Sequence, residues 1–155
     1  MDGSLPDKDD QRFEVLGSLD ELSAQLSLLI CALDGRDVPS VELVLEELQC
    51  LAAELAACDG APLPASARLE RLYAARDELF DHAPRAFVSF CGCSAAAQTN
   101  LARAVCRRAE RELVRLALLR PGEVADEQLL YLDVLSDWLF LFACKLMGAQ
   151  PRAPI

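Results

Sequence analysis

Leucines recur at helical spacing along almost the whole chain, and this pattern constrains the fold more than any other feature of the sequence. In residues 18–33 the interval is three or four residues, which is typical of one face of an amphipathic helix; the leucines are Leu19, Leu22, Leu26, Leu29 and Leu33. Hydrophobic residues make up 53% of the 155 residues and aromatic residues only 6%. Because alanine and leucine favour helices over strands, the sequence predicts an all-α protein with a sizeable core.

Turn residues divide the chain into five predicted helices, at 18–33, 40–57, 66–80, 94–119 and 125–147. A capping box formed by Ser18 and Glu21 predicts the start of the first helix, and Gly35 follows its end. The fifth helix is apolar on nearly every side, which is typical of a central helix or of one covered by a partner subunit. We therefore expect a five-helix bundle over residues 16–148, a mobile leader at 1–15 and a flexible tail at 149–155.

The charge of the chain excludes several classes of partner. A net charge of −10 argues against general binding to nucleic acid or to an anionic membrane. Residues 1–10 are acidic and polar, unlike a signal peptide or a transit peptide. The most apolar stretch, at 129–147, contains Asp133, Asp137 and Lys145, which favours a buried helix over a membrane span. We expect a cytoplasmic protein.

The seven cysteines are scattered and odd in number, so most are interpreted as small buried hydrophobic residues in a reducing compartment. Cys91 and Cys93 form a C-x-C pair, but no second pair lies nearby and the single histidine, His82, is not part of it. A zinc site needs four well-spaced ligands, and the sequence does not provide them. No metal site is therefore predicted.

The main chemical signal is a cluster of arginines in the fourth predicted helix. Residues 103–120 contain six arginines and two glutamates, which gives this segment a charge of +4 in an acidic chain. Arg103, Arg107, Glu110 and Arg111 fall on one helical face. One hypothesis is a polyphosphate clamp in which Glu110 orients an arginine, because a guanidinium fork suits phosphate. The other is a solvated face that pairs with acids on the first two helices.

Three sequence motifs resemble a known family. RAVCRRAER at 103–111 resembles the signature R-[TA]-V-C-R-R-A-E-R of the PduO-type ATP:cob(I)alamin adenosyltransferases. KDDQ at 8–11, followed by DELS at 20–23, resembles the segment that leads into the first helix of that family. YLDVLSDWLF at 131–140 resembles [YF]-L-N-R-L-S-D-x-L-F. The motifs keep the order and spacing of the family, and the resemblance covers roughly residues 8–147.

The resemblance implies a fold, a reaction and a set of site residues. It implies a homotrimer of five-helix bundles that binds ATP, Mg²⁺ and cobalamin between subunits, where reduced cobalt attacks the 5′ carbon of ATP and triphosphate leaves. Phe87 would lie against the corrin ring and displace its lower ligand, and Arg103 would pair with Asp20. The residues implied in nucleotide binding are Lys8, Arg107, Arg108, Glu110 and Asp133.

The sequence also departs from the family pattern. The family's N-terminal loop, which wraps triphosphate and Mg²⁺, has no counterpart in the seven residues before Lys8. The family link L-P-x-G-G is replaced by SFCGC at 89–93, and the family's Asn-Arg pair by Asp133 and Val134. A lost charge-assisted hydrogen bond costs about 1.5–3 kcal/mol, so these changes predict weaker ATP binding.

These departures favour a catalytically impaired relative that acts as a binding or regulatory module for a corrinoid or a protein partner. The alternative is an active adenosyltransferase that forms adenosylcobalamin and triphosphate. A third hypothesis, an unrelated helical interaction protein, is disfavoured by the three ordered motifs. Trp138 is interpreted as a core or interface anchor rather than a base-stacking platform. Asp133 and Asp137 are interpreted as members of a surface salt bridge rather than as Mg²⁺ ligands.

Overall fold

The computed structural model describes residues 11–33, 35, 37–56 and 65–148. These residues form five α-helices and one 3₁₀ turn at Phe80–His82, with no strand among them. The helices are α1 (Gln11–Ala32), α2 (Val38–Ala56), α3 (Ala65–Asp77), α4 (Ser94–Leu119) and α5 (Asp126–Leu146). The predicted all-α five-helix fold is confirmed. Lys8, the first ten residues of the predicted leader, the loop at 57–64 and the predicted tail lie outside the described residues.

The predicted start of the first helix is wrong. Helix α1 begins at Gln11, so Ser18 lies inside it and is buried, and residues 11–15 are helical rather than part of a leader. Two tertiary contacts explain the difference. The Gln11 amide donates to the Glu112 carboxylate of α4, and Arg12 pairs with Glu123 at the turn between α4 and α5. The buried stripe of α1 also extends back to Val15, so packing outweighs the local capping signal.

The closest backbone contacts join α2 to α1, α1 to α4, α4 to α5 and α5 to α3, and side-chain ion pairs join α3 to α2. Helix α4 turns small side chains toward its neighbours, namely Ala95, Ala102, Cys106 and Ala109. Small residues allow close approach, and the Cys106 thiol lies 3.4 Å from the Leu132 carbonyl oxygen of α5. Helix α5 buries residues on most of its faces within the described residues, as its apolar composition predicts.

A buried polar network joins α2, α3 and α5; its members are Glu47, Glu54, Arg68, Gln128 and Tyr131, and Arg71 borders it at the surface. The Glu47 carboxylate accepts hydrogen bonds from the Tyr131 hydroxyl at 2.9 Å and from Arg71 at 2.7 Å. Glu54 pairs with Arg68 at 2.7 Å and accepts a hydrogen bond from Gln128 at 3.0 Å. Charges of α2 and α3 therefore neutralise one another, and α5 contributes two neutral hydrogen-bond donors.

By length and composition alone, α1 could cross a membrane. Within the bundle its apolar stripe packs in the core instead, with Val15, Leu19, Leu22, Leu26 and Leu29 at most 1% exposed. A core helix of this kind passes the same test of length and hydropathy, so α1 is explained by the packing of the bundle.

Candidate functional site

A cleft of about 840 Å³ lies between the irregular segment at 84–90 and the packed helices α4 and α5. Asn100 and Arg103 of α4 and Phe140 of α5 line the helical wall of this cleft. The Arg103 guanidinium lies over the Phe140 ring, with 5.2 Å between its central carbon and the ring centroid, and donates to the Asn100 side-chain oxygen at 3.4 Å. Phe90 packs edge-on against the other part of Phe140, with ring centroids 6.2 Å apart. An aromatic shelf thus holds one arginine at the cleft wall.

Phe87 stands at the mouth of the cleft with 93% of its surface exposed. No other large hydrophobic residue in the described part of the chain is as exposed. An exposed aromatic ring beside a concave surface is typical of a wall that a ligand covers. Phe87 and Arg103, predicted from separate parts of the sequence, therefore line the same cleft.

The arginine face of α4 continues from Arg103 away from the cleft. Arg103 and Glu110 are half-buried, whereas Arg107 and Arg111 are exposed. Among the described residues neither Arg107 nor Arg111 has an ion-pair partner. This face therefore presents two guanidinium groups that no carboxylate of the described residues neutralises.

Asp133 of α5 belongs to the same neighbourhood. Burial raises the pKa of the Cys106 thiol far above its ordinary value, and the charges that act on the same thiol are Glu110, Arg107, Asp133 and Arg103. These four charged groups therefore surround one point of contact between α4 and α5. Two carboxylates stand among the arginines, so the positive potential of the face is partly cancelled there.

The structure separates Arg108 from the other predicted nucleotide-binding residues. Arg108 pairs with Glu21 of α1, on the opposite flank of α4 from Arg103. This pair agrees with the hypothesis of a face that pairs with acids on the first two helices, whereas Arg115 and Arg120 pair with Glu112 and Glu123. Lys8 lies outside the described residues.

The Arg103–Asp20 ion pair implied by the resemblance is not formed within the described residues of one chain. Arg103 contacts Asn100 and Phe140 instead. Asp20 is exposed, because Leu19 and Leu22 define the buried stripe of α1 and leave Asp20 on its outer side. The α1 carboxylate that reaches an arginine of α4 is Glu21.

Sequence reasoning missed the aromatic shelf. Phe140 ends the motif at 131–140, and Phe90 lies in the altered link at 89–93. Their arrangement beside Arg103, however, depends on how α5 packs on α4. Trp138, predicted as an anchor, is 2% exposed and stacks on Phe142 at 4.8 Å, which confirms its place in the core. Asp133 and Asp137 are both exposed. The described residues contain no group of three or more potential metal ligands.

Comparison with known proteins identifies relatives of this chain. A family profile described as cobalamin adenosyltransferase matches residues 1–146. The chain is 36% identical over 151 residues to the corrinoid adenosyltransferase PduO of Salmonella typhimurium, a match that covers 91% of the chain and 44% of that relative. It is 32% identical over 159 residues to the corrinoid adenosyltransferase of Bacillus subtilis, covering 96% of the chain and 80% of the relative. The chain therefore spans less than half the length of the Salmonella protein.

Solved structures show the same fold. A variant PduO-type adenosyltransferase from Lactobacillus reuteri complexed with ATP superposes with a TM-score of 0.82 at 22% identity, covering 95% of this chain and 86% of that chain. Another variant from the same organism, complexed with cobalamin and ATP, gives a TM-score of 0.79 at 21% identity, covering 91% and 82%. At these identities the likeness is one of fold.

Proposed function

Since the chain belongs to the cobalamin adenosyltransferase family, we propose that it binds a corrinoid in the cleft and transfers an adenosyl group to it from ATP only weakly. One observation carries the proposal. Phe87 and Arg103 line a single cleft, while Asp133 and Glu110 stand among the arginines beside it. The part of the site that would bind the corrinoid thus keeps the aromatic wall of the cleft. The part that would bind the nucleotide carries added negative charge.

The corrinoid half is supported by shape and chemistry. A cleft of about 840 Å³ is within the usual range of roughly 300–1,000 Å³ for small-molecule sites. Phe87 offers an exposed ring to a flat, largely apolar macrocycle, and Phe90 lies on the same segment. By the resemblance, Phe87 would displace the lower ligand of cobalt, and its apolar side chain would offer cobalt no replacement ligand.

The nucleotide half is supported by the arginines and weakened by Asp133. Arg107 is exposed and unpaired among the described residues, so it is free to bind phosphate. Arg108 could join it at small cost, because its exposed pair with Glu21 is worth only about 0–1 kcal/mol. The carboxylate of Asp133, at the family's asparagine position, repels a triphosphate that these arginines attract. Mg²⁺ would come with the triphosphate, and needs only one or two protein carboxylates.

The proposal includes a homotrimer with the site at the subunit boundary. Asp20 is exposed and has no ion-pair partner among the described residues, and Arg107 and Arg111 also face outward. These groups would be neutralised by a neighbouring copy and by the nucleotide. Light scattering of the full chain should give three times the monomer mass, and a monomer at every concentration would contradict this part of the proposal.

Corrinoid binding is tested with two exposed phenylalanines. The full chain is titrated with cob(II)alamin, and the absorption spectrum is followed for the change that accompanies loss of the lower ligand. Phe87→Ala should abolish this change, because the ring that takes the ligand's place is gone. Phe80→Ala is the matched control, since Phe80 is 55% exposed but does not line the cleft. No spectral change with the unaltered chain would overturn the proposal.

Weak adenosyl transfer is tested with ATP, Mg²⁺ and chemically reduced cobalamin, following formation of the cobalt–carbon bond. The unaltered chain should turn over slowly, with a high KM for ATP. Asp133→Asn should lower that KM by roughly tenfold, because one repulsive charge is removed. Asp126→Asn, an exposed aspartate in the first turn of the same helix, should leave the KM unchanged. A higher KM in Asp133→Asn would instead identify Asp133 as a Mg²⁺ ligand and contradict the weakening argument.

A further inference from the structure

A pair of free thiols lies at the end of the segment that forms the cleft. Cys91-Gly92-Cys93 follows Phe90 directly and leads into α4. Cys91 is exposed and Cys93 is half-buried, and both are free cysteines. Nothing in the proposed transfer of an adenosyl group uses these two sulfur atoms.

The backbone turn brings the two cysteines within reach of a bridge. Residues 91 and 92 form a turn, and Gly92 has a φ of 91°, a conformation that side chains with a Cβ atom rarely adopt. Disulfides join residues whose Cα atoms are about 4.4–6.8 Å apart. A chain that bends at its middle residue brings residues i and i+2 into this range. No other two cysteines of the sequence are as close along the chain.

The two sulfur atoms have different surroundings. The Ser89 hydroxyl donates a hydrogen bond to the Cys91 sulfur at 3.1 Å, and this sulfur is open to solvent. The Cys93 sulfur lies 3.6 Å from the Leu146 carbonyl oxygen, at the residue that precedes the first turn of α4. Cys91 is therefore placed to react first with an external reagent, and Cys93 is placed behind it to displace that reagent.

We propose that Cys91 and Cys93 form a reversible disulfide that opposes ligand binding in the cleft, with a small-molecule disulfide of the glutathione type as oxidant. The Cys91 thiolate attacks one sulfur of the oxidant and releases one thiolate. The Cys93 thiolate then attacks the Cys91 sulfur of the mixed disulfide and releases the second. Two protein thiols are oxidised, one small disulfide is reduced to two thiols, and the two protons of the protein thiols end on the two released thiols.

The disulfide acts on the cleft through the aromatic shelf. To bridge, Cys91 leaves the Ser89 hydroxyl and Cys93 leaves the Leu146 carbonyl, so the backbone around Phe90 changes. Phe90 packs on Phe140, and Phe140 carries the Arg103 guanidinium. A shift of Phe90 therefore disturbs the wall of the cleft at two places.

The remaining described cysteines are poorly placed to compete. Burial raises the pKa of the Cys106 and Cys144 thiols, which keeps them protonated and unreactive. Cys50 is half-buried on α2, and Cys31 is exposed on α1, where its sulfur contacts the Ser27 carbonyl oxygen. Neither has a second cysteine within two residues. Cys31 serves as the control thiol.

The test uses the full chain, oxidised glutathione and mass spectrometry. The unaltered chain should lose the mass of two hydrogen atoms, peptide mapping should place the bridge between Cys91 and Cys93, and dithiothreitol should reverse it. Cys91→Ser should not bridge, and Cys93→Ser should stop at the mixed disulfide with glutathione on Cys91. Cys31→Ser should bridge like the unaltered chain. Two free thiols at 91 and 93 under this oxidant would overturn the proposal, as would a bridge between other cysteines.

Two measurements test whether the disulfide changes the cleft, and one of them does not depend on any ligand. Bridging should raise amide hydrogen exchange at 84–90 by about tenfold or more in rate, because the packing of Phe90 is lost. The bridge should also weaken cob(II)alamin binding by about tenfold. This weakening should be absent in Cys93→Ser treated with reductant. Unchanged exchange in the bridged chain would remove the coupling, whether or not the chain binds a corrinoid.

Discussion

Two regions of the molecule use the same residue types for opposite purposes. In the buried polar network, Arg68 and Glu54 pair at 2.7 Å and are only 4% and 11% exposed. On the arginine face of α4, Arg107 and Arg111 are exposed and unpaired among the described residues. The chain neutralises its charges in the first region and leaves them for another molecule in the second.

The difference shows that an arginine-rich pattern does not by itself mark a ligand site. Arg68 and Arg71 of α3 face acids of α2 and pair with them inside one chain. Arg107 has Asp133 and Glu110 nearby but no carboxylate within ion-pair distance in the described chain. The partner, rather than the arginine, decides whether the charge serves stability or binding.

Arg68→Ala should give the largest loss of stability in the molecule. Removing one partner of a buried pair leaves Glu54 charged and largely buried, which costs about 3 kcal/mol in the free energy of unfolding. Urea unfolding measures this loss. Arg115→Ala is the control, since Arg115 is 64% exposed and its pair with Glu112 spans 3.4 Å. Equal losses in the two variants would contradict the distinction between the two regions.

Arg107→Ala should show the reverse behaviour. A single lost charge-assisted hydrogen bond to phosphate is worth about 1.5–3 kcal/mol, so ATP affinity should fall roughly 10- to 100-fold. The free energy of unfolding should stay within about 0.5 kcal/mol, because Arg107 is exposed. Calorimetry with ATP and urea unfolding measure the two quantities, with Arg115→Ala again as control. If Arg107→Ala destabilised the fold but bound ATP normally, the arginine face would be structural.

Most of the fold could be predicted from the sequence, because helical spacing of leucine is a local signal. Helix α4 was predicted with both ends correct, as Gly92 and Pro121 stop the pattern on either side. The start of α1 could not be predicted, since it rests on Gln11 meeting Glu112 and Arg12 meeting Glu123, more than 100 residues away in each case.

The candidate site was predictable only in part for the same reason. The family motifs pointed to Phe87 and Arg103, which line one cleft. The side of α4 on which each arginine lies was harder to predict, because Arg107 and Arg108 are neighbours in sequence but lie on different sides of the helix. The partner of Arg103 depends on the packing of α5, so the shelf of Phe90 and Phe140 had no sequence signal of its own.

The smallest expected effect on stability concerns the buried thiol of Cys106, which lies beneath the arginine face of α4. Packed core residues there separate this face from the buried polar network. Burial raises the pKa of this thiol above its ordinary value of 9.0, so the folded state holds the proton more tightly than the unfolded state. The free energy of unfolding should therefore be constant well below pH 9 and fall as the pH rises above it, by up to about 1.4 kcal/mol per pH unit for this one group. Thermal unfolding between pH 8 and pH 10 measures the decline.

Cys106→Ala should flatten this decline, at the cost of about 1 kcal/mol at neutral pH for the small cavity and the lost contact with the Leu132 carbonyl. Cys31→Ala, at an exposed position, should leave the slope as it is. An unchanged slope in Cys106→Ala would mean that the thiol already meets water through the site above it. Water would then reach the core beneath the arginine face. The division between charges that stabilise the fold and charges that bind a ligand would then lie deeper in the bundle.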